Sequence, residues 1–61
     1  MAIDRKWLNR ELAEAIGQGG PEGLRRAQEL ADYAREHDDE GLAHDINGRV
    51  IKPHPELWQA G

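Results

Sequence analysis

Two stretches of apolar residues at helical spacing, separated by the five residues "GQGGP" (17–21), restrict this chain more than any other feature. In the first stretch Trp7, Leu8, Leu12, Ala15 and Ile16 fall on one face, while Arg5, Lys6, Arg10 and Glu14 point away. In the second, Leu24, Ala27, Leu30, Ala31 and Ala34 form a stripe flanked by Tyr33. The spacing predicts a helix over about 4–16 and another over about 22–38. Asp4 is placed to cap the first, with Ile3 as a hydrophobic staple, and Gly17 to end it. Pro21 suits the opening turn of the second. Pairs at i,i+4, Glu22 with Arg26 and Arg25 with Glu29, would each add about 0.2–0.5 kcal/mol. A glycine-rich connector between two such stripes closes an antiparallel helical hairpin, and the small alanines permit close approach. The same glycines do not make a phosphate cradle, because no strand precedes them and no Lys-Ser/Thr pair follows.

After His37 the pattern changes. Asp38, Asp39 and Glu40 would crowd the negative end of the second helix, which is unfavourable, and Gly41 is the natural stop. Asn47-Gly48 is a strong two-residue turn signal. It predicts a β-hairpin over about 42–53, with Ile46 opposite Arg49, His44 opposite Ile51 and Leu42 opposite Pro53. Val50 and Asp45 would share the other face. Pro53 and Pro55 favour extended backbone at Lys52 and His54, and Pro55 can open a single turn carrying Leu57 and Trp58 within the tail 54–61. The expected fold is therefore mainly α, a small α+β domain spanning 1–61: a helical hairpin, a short β-hairpin and a C-terminal turn.

With 61 residues and no cysteine, the chain lacks disulfides and thiolate zinc sites, so its core must suffice or be completed by a partner. Tryptophan at position 58 is large enough to complete the core, or to anchor a partner. Methionine at position 1 fits a complete small protein, and the absence of long apolar runs fits a cytoplasmic one with no membrane association.

Charge is unevenly placed. The net charge is −4, yet residues 1–35 balance six basic against six acidic side chains. The excess lies beyond, where Glu36, Asp38, Asp39, Glu40, Asp45 and Glu56 face only Arg49 and Lys52. That distribution disfavours direct nucleic-acid binding and favours a protein partner with a basic surface, or a second copy of the chain. The candidate partner-binding residues are Glu36, Asp38, Asp39, Glu40, Asp45 and Trp58.

No enzyme is expected. Serine, threonine and cysteine are all absent, so hydroxyl and thiol nucleophiles other than tyrosine are excluded. The carboxylates and histidines lack a core large enough to desolvate them. No cofactor is implied. His37, Glu40 and His44 are ligand types for a divalent metal, but no "HExxH" spacing supports them and Gly41 interrupts the run. The expected function is an inhibitor or adaptor, the class that includes phage proteins directed against host defences. An alternative places Arg25 and Arg26 at the entry of a DNA-recognition helix. The stretch "GRVIKPHPEL" (48–57) resembles the turn-and-strand segment of some phage small terminase subunits, which implies a DNA-associated role in genome packaging. A homo-oligomeric structural protein is the remaining alternative.

Overall fold

The computed structural model describes residues 4–59. Every regular element among them is helical: α1 (Arg5–Gln18), α2 (Gly20–Glu36), α3 (Glu40–Asp45), a π-helical segment (Ile46–Ile51) and α4 (Pro55–Trp58). The Asp4 carboxylate accepts from the backbone N–H groups of Lys6 and Trp7, both at 3.1 Å, so it is the cap of α1. Ile3, assigned above as its staple, lies outside the described residues. Gly17 does not end the helix. The C-cap is Gly19, at φ 65°, whose N–H donates to the Ala15 carbonyl. Pro21 lies in the first turn of α2, as its missing N–H requires.

The helical hairpin forms on the stripes read from the sequence except at Ile16, which is exposed near the end of α1. Leu8, Leu12 and Ala15 of α1 meet Ala27, Leu30, Ala31 and Ala34 of α2, all buried. Gly23 sets the approach distance: a Cβ there would stand 2.6 Å from the Ala15 carbonyl oxygen and 3.2 Å from Trp58 Cζ3. The two i,i+4 ion pairs expected on α2 do not form. Arg26 reaches across to Glu11 of α1 at 2.7 Å and to Glu29 at 3.3 Å, and Glu22 accepts from Gln18 instead.

The β-hairpin expected at 42–53 is absent, and no strand occurs among the described residues. Glu40 to Ile51 is one uninterrupted helical path, α for its first half and π for its second. The turn signal loses to burial. Leu42, Ala43, Ile46 and Val50 fall on one helical face, and α2 offers an apolar surface beside α1 that this face covers. Two strands would have left those residues without a sheet to join. Lys52, expected extended, is helical (φ −67°, ψ −39°), because its N–H closes the π segment on the Asn47 carbonyl at 2.9 Å. The stretch 48–57 thus holds no strand, only the end of the π segment, a turn at Lys52 and Pro53 and the start of α4, which removes the structural basis of the resemblance to small terminase subunits.

Chain reversal between α2 and α3 takes three residues. His37 is the C-cap of α2, Asp38 is left-handed at φ 61°, and the N–H groups of Asp38 and Asp39 donate to the carbonyls of Arg35 and Ala34. This double hydrogen bond is the Schellman arrangement. Asp39 then caps α3, accepting from Leu42 N–H at 3.1 Å. The second helix therefore ends at Glu36 rather than near 38, and Gly41 lies inside α3 rather than stopping a helix.

Trp58 closes the molecule. Its ring is 7% exposed and packs on Gly23, while its indole N–H donates to the Ile51 carbonyl at 3.1 Å.

Candidate functional site

The acidic stretch 36–45 is divided by the α2–α3 reversal, and its members take different roles. Asp39 is used internally: besides capping α3, it accepts from Arg5 at 3.1 Å, tying α3 to the start of α1. Asp45 pairs with Arg49 one turn on, at 3.7 Å. Glu36, Asp38 and Glu40 are exposed, and among the described residues none of them forms an ion pair. Glu40 is in the first turn of α3, where the helix dipole favours negative charge. Glu36 stands at the negative end of α2, and Asp38 between that end and the cap of α3. Trp58 is in the core, so its side chain is not presented to a partner.

The metal candidates are not brought together. Glu40 and His44 do share a face of α3, contrary to the interruption expected at Gly41, and line a pocket of about 200 Å³ with Arg35 and Asn47. A guanidinium beside them opposes a cation. His37 lies apart, its ring tilted against Tyr33 with centroids 4.2 Å apart. No group of three His, Asp or Glu side chains placed to hold a metal ion occurs among the described residues.

Of the arginines assigned to DNA, Arg25 is exposed but Arg26 is held between two carboxylates. The hydrogen bond that Arg26 donates to Glu11 raises the Arg26 pKa above its ordinary value, more than partial burial lowers it. An arginine so clamped is poorly placed to displace counterions from a phosphate backbone.

One feature escaped the sequence reading. Between α1 and α2 runs an open groove of about 360 Å³ whose walls include Trp7 and Tyr33, half-buried with ring centroids 5.4 Å apart. Along one side stand Glu29, Asp32 and Glu36, at spacings of three and four on α2, with Arg26 beside Glu29. The acidic spacing was visible in the sequence. Its juxtaposition with Trp7 depends on the register of the two helices.

Comparison with family models, with curated proteins and with solved structures finds no match. No helix among the described residues is long and apolar enough to cross a membrane. The functional reading therefore rests on these residues alone.

Proposed function

We propose that the chain is a non-enzymatic interaction module, an inhibitor or adaptor, that binds a basic surface of a partner protein. The observation that carries this reading is the placement of Glu36 and Asp38. Both are exposed beside the negative end of α2, and neither forms an ion pair among the described residues. Charges that cost helix stability and serve no internal contact are suited to steering and orienting a partner of opposite sign. Glu40, on the following turn, extends the same acidic band. Asp39 and Asp45 are left out of it, because Arg5 and Arg49 already engage them.

The test is affinity capture from cells of the source organism with the wild-type chain and with Glu36→Gln/Asp38→Asn/Glu40→Gln. All three positions are exposed, so the variant keeps the fold, which circular dichroism checks. The expected result is a loss of captured partner of roughly tenfold, matched in the wild type by raising the salt concentration. Equal capture by both proteins at low and high salt rejects the acidic band as the interface.

A further inference from the structure

We infer that the groove lined by Trp7 and Tyr33 is a receptor for an arginine side chain of the partner. This rests on the reading above, that the partner surface is basic, and adds the place and the chemical group. Arg26, in the wall of the groove, already shows what carboxylates on this face hold. The guanidinium of Arg26 is clamped there by two carboxylates from different helices, Glu11 at 2.7 Å and Glu29 at 3.3 Å.

The groove offers a second pair of carboxylates, Asp32 and Glu36, one helical turn apart on α2 with Tyr33 between them in sequence. Glu36 forms no ion pair among the described residues. Asp32 has only an exposed contact to Arg35 at 3.7 Å, which is too long and too solvated to compete strongly. Trp7, half-buried in the groove wall, completes the site, while the Tyr33 ring beside it is already packed against Trp7 and His37. A guanidinium is planar, weakly hydrated and able to stack on an aromatic ring while its N–H groups fork onto carboxylates. A lysine ammonium would find the charge but neither the stack nor the fork. The site therefore selects arginine over lysine at equal charge.

The probes are hexa-arginine and hexa-lysine, titrated separately into the isotopically labelled full-length chain at low ionic strength and followed by NMR. The chain has two tryptophans, and the buried Trp58 indole serves as an internal reference that stays in place. Expected are shifts at the Trp7 indole and the Tyr33 ring. Hexa-arginine should bind about five- to tenfold more tightly than hexa-lysine. Asp32→Asn/Glu36→Gln should abolish that preference; both residues are exposed and the fold does not depend on them. Equal binding of the two peptides, or a preference that survives Asp32→Asn/Glu36→Gln, overturns the groove. If such binding shifts only the signals of Asp38 and Glu40, the acidic-band reading stands without it. No shift anywhere with either peptide overturns both.

Discussion

Asp38 holds a conformation that an L-residue with a Cβ enters at a cost of roughly 1–2 kcal/mol. Its φ of 61° is required by the Schellman closure of α2, where glycine is the usual occupant. No hydrogen bond from its carboxylate repays that cost, and the charge stands at the negative end of the helix. Replacing it by glycine relieves both, and is offset in part by the extra freedom of glycine in the unfolded chain. Asp38→Gly is therefore expected to raise the unfolding free energy by about 1 kcal/mol in urea denaturation, with Asp38→Asn moving the same way by less. A lower stability would show that the carboxylate makes a contact beyond those described. One position on, the same residue type does the opposite. Asp39 satisfies Leu42 N–H and holds Arg5, so its charge is spent on the fold. Composition alone gives both aspartates one meaning; the backbone separates them.

Glycine makes the equivalent distinction for the helical elements. Gly48 lies within the π segment, and a Cβ there would meet nothing within 4 Å. Gly48→Ala is expected to stabilise the protein by about 0.5–1 kcal/mol, since alanine is the better helix former. A type I′ hairpin turn at Asn47-Gly48 would instead be damaged by it, so the sign of the change in melting temperature discriminates helix from hairpin. Gly23 is also helical, but its Cβ would strike the Ala15 backbone oxygen. Gly23→Ala forces α1 and α2 apart and is expected to cost about 1–3 kcal/mol despite the gain in propensity. The hairpin of α1 and α2 was legible because stripe, cap and connector agree over whole helices. The segment from Leu42 to Ile51 was not, because a local turn signal and an apolar spacing of four compete there. Only the exposed flank of α2 decides between them. The acidic band was legible as composition, whereas the aromatic groove needed Trp7 and Tyr33 in register across two helices.

For the molecule as a whole the limiting quantity is core material. Among the described residues, half of the ten buried apolar side chains are alanine, which allows the helices to approach closely but removes little surface from water. Trp58 is the largest side chain in that core, and it also satisfies the Ile51 carbonyl near the end of the π segment. Trp58→Phe keeps an apolar ring but leaves that carbonyl unpaired and a small void. The expected loss is about 1–2 kcal/mol in equilibrium unfolding. Because tail, hairpin and π segment meet at one residue, the loss should be recorded equally by far-ultraviolet circular dichroism and by Trp7 fluorescence. Separated transitions would show that α4 unfolds on its own.

The contact between Trp58 and Gly23 also bears on the order of events in folding. Each of α1, α2 and α3 packs on a neighbour in the chain, so their association closes short loops and is fast. Trp58 must instead return from the far side of the π segment to the start of α2. It can dock only on a hairpin that already exists. In a chevron plot Trp58→Phe should steepen nothing and leave the refolding arm in place, while the unfolding arm rises by about five- to thirtyfold for that 1–2 kcal/mol. The tail then governs how long the native state lasts rather than how quickly it is reached.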